Sequence, residues 1–136
     1  MCDGNGIPLS VVIDGANRHD IKLIEETLSS IPIERPDVKP YYRQHLCLDK
    51  GYYSDWVYEL VEEFEYIPHI RSRGEEVKDL KNHPFKKTRR WVVERTHSWL
   101  NRFRAILIRW NKKSKNYLAF IHFACALIVY KKMGID

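Results

Sequence analysis

Residues 89 to 104 read RRWVVERTHSWLNRFR, and their apolar and polar positions separate with a helical period. On a 3.6-residue helix Val92, Thr96, Trp99 and Phe103 fall on one side, while Glu94 shares the other with Arg90, His97, Ser98 and Asn101. The spacing predicts an amphipathic helix. Upstream, DGNG at 3–6 is a tight-turn signal, and the β-branched run IPLSVVIDG predicts a strand near 7–14. Ile21, Ile24 and Leu28 share a face of a helix over about 21–30 that Asp20 can cap. The proline-rich segment 31–40 reads as a loop. HLCLDKGYY (45–53) predicts a short buried strand ending at Asp49, with Gly51 turning the chain into a helix that starts at Ser54 or Asp55. EYIPHIR (65–71) is a second short strand, and Pro68 argues for an edge position. A polar stretch, 72–88, has the length of a functional or disordered loop. The last helix spans about 114–133, is apolar enough to be buried, and stops at Gly134. Strands alternating with helices indicate an α/β fold with a largely parallel sheet.

Composition adds limits. The 136 residues are the size of one domain, and 44% hydrophobic residues suffice for a core. The most apolar run, 117–130, is too short to span a bilayer and contains His122, and no signal peptide is evident, so no membrane role is expected. The 3 cysteines are scattered without a C-x-x-C pair, which argues against a disulfide framework and against a structural zinc site and suits a reducing cytoplasm. Charge is divided unevenly. Residues 1–70 hold 6 Lys/Arg against 13 Asp/Glu, and residues 71–136 hold 17 against 5. A basic half of this kind faces a polyanion or is simply a solvated cationic surface.

Two carboxylates carry candidate chemistry. A lone Glu94 among arginines is, on charge alone, most often a solvated ion pair. Asp49 lies at the carboxyl end of a predicted strand, where ligands collect in open α/β sheets. If the Glu94 helix packs across that end the two converge. Oxygen donors suit hard cations such as Mg²⁺, and paired metals support phosphodiester chemistry. The plainer role for Asp49 is a strand-end cap.

The segments GIPLSVVIDGANRHD, LCLDKGYYS, RRWVVERTHSWLNRFRAILIRW and NYLAFIHFACALIVY together resemble the C-terminal catalytic half of DDE-type insertion-sequence transposases, in the group called family five. The resemblance runs over nearly the whole chain, 1–136. It implies a ribonuclease-H-like fold, two divalent metal ions (Mg²⁺ or Mn²⁺), and DNA strand cleavage and transfer. It assigns the second catalytic Asp to Asp49 and the Glu to Glu94, both as metal ligands. Arg90, four residues before Glu94, fits the Arg of the family's aromatic–Arg–Glu–Lys signature. The Lys position is Asn101 here, a departure from the signature, with Arg102 as the alternative for that role. Arg90, Arg95, His97, Asn101, Arg102 and Arg104 are the expected DNA contacts.

The family's first Asp has no counterpart, since Asp3 belongs to the turn and Asp14 to the following strand. The expectation is therefore an N-terminally truncated catalytic domain, its first catalytic strand missing and inactive alone. A frameshift product, a decayed gene and a fragment remain open as origins. An upstream transposase fragment, element-end and target DNA, and further copies of the chain are the expected partners, in the cytoplasm at the nucleoid. The rival is a non-catalytic DNA-binding or dimerisation product of the same element. His97 is a phosphate contact or a structural histidine. Trp91 is core or a base-stacking platform. Lys112, Lys113 and Lys115 contact the DNA backbone or solvate the start of a helix.

Overall fold

The computed structural model describes residues 1–39, 41–70 and 90–134, with the Arg90 side chain left out. The chain divides into two compact units. The first comprises Met1–His19, Glu26–Pro32 and Thr88–Asp136, and the second Asp20–Glu25 and Ile33–Lys87. The predicted loop at 72–88 lies outside the described residues.

The second unit is built on a βαβ turn. Strand β1 (His45–Leu48) leads through a 3-10 turn (Lys50–Tyr52) into helix α2 (Asp55–Glu63) and back into strand β2 (Ile67–Ile70). The strands are parallel, with His45 opposite Ile67 and Leu48 opposite Ile70. A parallel return needs such a crossover, because a two-residue hairpin can only reverse the chain. Val57 and Val61, one helical turn apart, are fully buried on α2, and Leu46, Tyr66 and Ile70 complete the core of this unit. Only Leu46 of β1 is buried, so β1 is half-exposed where the sequence predicted a buried strand. With β2 its only neighbour among the described residues, β1 can show one face to water, and its apolar residues alternate accordingly.

Helix α2 ends in a Schellman motif. The Tyr66 amide donates to the Val61 carbonyl at 3.0 Å and the Glu65 amide to the Glu62 carbonyl at 2.8 Å. Glu65 takes the left-handed position with φ of 59°, a place usually given to glycine. Arg35 anchors the proline-rich segment. Its guanidinium donates to Gln44 Oε1 at 3.0 Å and to the Phe64 carbonyl, and stacks 3.8 Å above the Tyr66 ring.

The first unit holds helices α3 (Arg90–Leu100), α4 (Arg104–Leu107) and α5 (Ser114–Lys132), and both α3 and α4 pack on α5. The DGNG turn forms as predicted. The Gly6 amide donates to the Asp3 carbonyl at 3.0 Å, and Asp3 Oδ1 accepts from the Asn5 and Ile7 amides. The predicted strand over 7–14 does not form; what remains is the antiparallel bridge of Cys2 with Pro8 and the pairing with Met1, whose carbonyl accepts from the Leu9 amide at 3.0 Å and whose ammonium donates to the Ser10 carbonyl at 2.7 Å. A strand exists only where a neighbour completes its ladder, and no described residue forms a ladder with 11–15. Helix α1 (Ile24–Ser29) follows a 3-10 turn (Asp20–Leu23), with Ile24 and Leu28 buried as their spacing predicted.

Helix α5 departs from expectation in burial. Ile121, Ala124 and Ile128 form a single buried stripe, whereas Phe120, Phe123 and Tyr130 stay exposed, Phe123 at 64%. A helix apolar on every side does not reveal which side finds a partner. Its end is as predicted. The Met133 amide donates to the Val129 carbonyl at 3.0 Å, and Gly134 follows with φ of 64°.

Candidate functional site

Helix α3 is held from its apolar side. The buried Thr96 hydroxyl donates to the Gly6 carbonyl at 2.7 Å, with the Val92 carbonyl at 3.1 Å as its other acceptor. Arg95 donates to the Asn5 carbonyl, and its guanidinium lies 4.4 Å from the Trp91 ring and 5.2 Å from the Trp99 ring. Lys132 of α5 brings its ammonium to 4.5 Å from Trp99. Such cation–ring contacts contribute roughly 0.5–2 kcal/mol each, more where water is excluded. Together these contacts fix the helix's rotation about its axis, and that rotation decides which residues face water.

Glu94, His97, Ser98 and Asn101 are all exposed, as the helical period required. Among the described residues the Glu94 carboxylate forms no hydrogen bond or ion pair. Arg102 and Arg104, the second of which opens α4, are exposed as well. Arg90 is the first residue of α3, with its side chain outside the description. Arg95 differs from the other arginines. It is half-buried and committed to the Asn5 carbonyl and two indole rings, so it positions α3. Charge patterning treats all arginines alike and carried no sign of this.

Asp49 is exposed at the carboxyl end of β1, where the sequence placed it. Its Oδ1 accepts from the Lys50 amide at 2.7 Å and caps the 3-10 turn. The capping role is therefore real, and it occupies one carboxylate oxygen. Nearby, burial first, and then the Asp20 and Asp49 carboxylates, push the Tyr52 phenol above its ordinary pKa. Asp20 thus shares the electrostatic surroundings of Tyr52 with Asp49. The sequence suggested only a helix cap there, because 28 intervening residues carry no sign of proximity.

The exposed side of α3 brings Glu94, His97 and Asn101 together within the first unit, and Asp49 belongs to the second. Oxygen-only donors suit a hard cation in chemistry. No group of three or more His, Cys, Asp or Glu able to hold a metal gathers among the described residues. Lys112, Lys113 and Lys115 are exposed at the start of α5, beside a shallow pocket lined by Ile13, Asp14, Gly15, Arg109 and Ser114. No described helix is long and apolar enough to cross a membrane.

Comparison with known proteins bears on the same residues. No solved structure matches the chain. A protein named as a transposase for insertion sequence element IS402 of Burkholderia cepacia is 30% identical over 143 residues, covering 98% of this chain. The chain spans 62% of that relative's length. The family model of the transposase DDE domain matches residues 1–129, which include Asp49, the N-terminal turn and all of α3. The chain accordingly belongs to the transposase DDE domain family, whose members are DDE-type insertion-sequence transposases.

Proposed function

We propose that the chain contributes to a catalytic centre that cuts and joins DNA strands, with Asp49 and Glu94 as carboxylate ligands of a divalent cation. The observation that carries this reading is the state of α3. One side is clamped by Thr96, Arg95 and Trp99, while the other presents an exposed Glu94 beside His97, Asn101 and Arg102. An acid with no partner among the described residues, in this cationic surface, is available to an external ligand. When bound, Mg²⁺ or Mn²⁺ supplies charge stabilisation at the scissile phosphate. Asp49 and Glu94 hold that ion, and Arg90, Arg102 and Arg104 take the DNA backbone through charge-assisted hydrogen bonds to phosphate. His97 and Asn101, on the same side as Glu94, orient the strand. Arg95 acts indirectly, by holding the helix.

The family's chemistry needs a third carboxylate, and no Asp in residues 1–136 stands in the matching place. The chain alone therefore cleaves nothing. Incubated with Mg²⁺ or Mn²⁺ and element-end DNA it should leave the DNA intact. Adding an upstream segment that carries the missing Asp should restore cleavage, and Asp49→Asn or Glu94→Gln should abolish it. Cleavage that survives either substitution would overturn the assignment.

The rival reading is a DNA-binding module without catalysis, favoured by the exposed cations of α3, α4 and the start of α5. It requires salt-sensitive DNA affinity and no metal-dependent cleavage under complementation. A steep fall in affinity with salt is common to both readings. The response of cleavage to Glu94→Gln separates them.

A further inference from the structure

The exposed side of the β1–β2 pair carries a cluster that the transposase reading does not use. In a strand, alternate residues share a face, so His45 and Cys47 of β1 point away from the buried Leu46. In the parallel register Cys47 stands opposite His69, so His69 shares that face, diagonal to His45. The two imidazoles meet there. His45 Nδ1 is 2.6 Å from His69 Nε2, and the rings meet end to end, with centroids 4.9 Å apart and planes inclined by 20°. His45 is exposed and His69 half-buried.

Two ring nitrogens at that separation hold one proton between them, with one nitrogen donating and the other accepting. We propose that His45 and His69 form a chelating site for one borderline transition-metal cation of the Zn²⁺, Ni²⁺ or Cu²⁺ class. The donor ring moves its N–H to its other nitrogen, and the cation takes both lone pairs in place of the proton. Metal–imidazole bonds of about 2.0–2.1 Å put two tetrahedral ligand nitrogens roughly 3.3 Å apart. The nitrogens must therefore part by about 0.7 Å and the ring axes must tilt from facing each other to the tetrahedral angle, a change of roughly 70° that the exposed His45 ring supplies by changing its side-chain rotamer. Among the described residues no third protein ligand is gathered with them. Imidazole prefers these cations over Mg²⁺, whereas the Asp49 and Glu94 carboxylates prefer the reverse. The bound ion would tie β1 to β2 just ahead of Asp49 without competing for the carboxylates.

The test is titration of the whole untagged chain with NiCl₂ by calorimetry at neutral pH. The expected result is one Ni²⁺ per chain, with at least about ten-fold weaker binding in His45→Gln and in His69→Gln. Cys47→Ser should retain the affinity, and millimolar Mg²⁺ should not compete. Ring proton resonances of His45 and His69 in the wild-type chain should shift with ZnCl₂, a measurement that does not depend on any variant folding. Wild-type affinity in both single variants, or zinc shifts confined to other histidines, would overturn the proposal.

Discussion

Replacing Gly6 by alanine tests whether the N-terminal turn holds the helix that carries Glu94. Gly6 has φ of 78°, in the left-handed region, and its carbonyl accepts the buried Thr96 hydroxyl. A Cβ there would stand 3.1 Å from Thr96 Oγ1, 3.2 Å from Arg95 Nε and 3.3 Å from the Val92 carbonyl. All three are closer than ordinary van der Waals contact, and two of them belong to the α3 backbone or to a side chain already hydrogen-bonded. The backbone penalty for a residue with a Cβ in this region is about 1–2 kcal/mol. Alanine returns about 0.4–1 kcal/mol by restricting the unfolded chain. Moving α3 away by a few tenths of an ångström weakens the Thr96 bond, worth about 1 kcal/mol. The net expectation is a loss of about 2 kcal/mol, or a fall in Tm of roughly 5–10 °C for a chain of this size. Thermal unfolding followed by near-ultraviolet circular dichroism reads it through Trp91 and Trp99. Gly4→Ala, at the exposed tip of the same turn without positive φ, is the control and should stay near wild type. A Gly6→Ala melting point equal to that control would refute the idea that this turn supports α3.

Other outcomes follow from the same contacts. Thr96→Val keeps the shape but leaves the Gly6 carbonyl without its donor, and urea unfolding should show a loss of about 1–2 kcal/mol. Glu65→Gly relieves a side chain in the left-handed cap of α2 and should stabilise the chain by about 1 kcal/mol, read by the same unfolding curve. Burial pushes the Cys125 thiol above its ordinary pKa while Cys47 is exposed, so mass spectrometry of maleimide labelling at neutral pH should find Cys47 modified well before Cys125. The Asp14 carboxyl is held below its ordinary range by the Gly15 amide and then by Arg18, at 2.6 and 2.5 Å. Its contribution to order at the Asp14–Arg18 turn is present at neutral pH and lost as pH falls through that depressed value. The Gly15 amide resonance should therefore titrate below the usual aspartate range, and a midpoint at or above that range would count against the pairing.

Periodicity and turn chemistry were sufficient for the elements whose stability is local. The 3.6-residue pattern of 90–101 already separated Glu94, His97 and Asn101 from Val92 and Thr96, because a helix closes its own hydrogen bonds and needs a partner only for its apolar side. The DGNG turn, the stop at Gly134 and the βαβ order of 45–70 were legible for the same reason. What depended on distant partners was not. The run 7–14 has strand composition, yet a strand's hydrogen bonds lie outside itself, and among the described residues only one bridge forms. The apolar helix α5 gave no sign that Ile121, Ala124 and Ile128 would be covered while Phe123 stayed in water. Nothing in the spacing separated Arg95, clamped by Asn5 and two indoles, from Arg102 and Arg104, which remain exposed. The meeting of His45 with His69 likewise depends on the parallel register. The sequence alone determined which residue types could do chemistry and which local faces they share, since both follow from covalent geometry. Only the tertiary structure decided which of those faces were covered, because burial depends on surfaces contributed by residues far away in the chain.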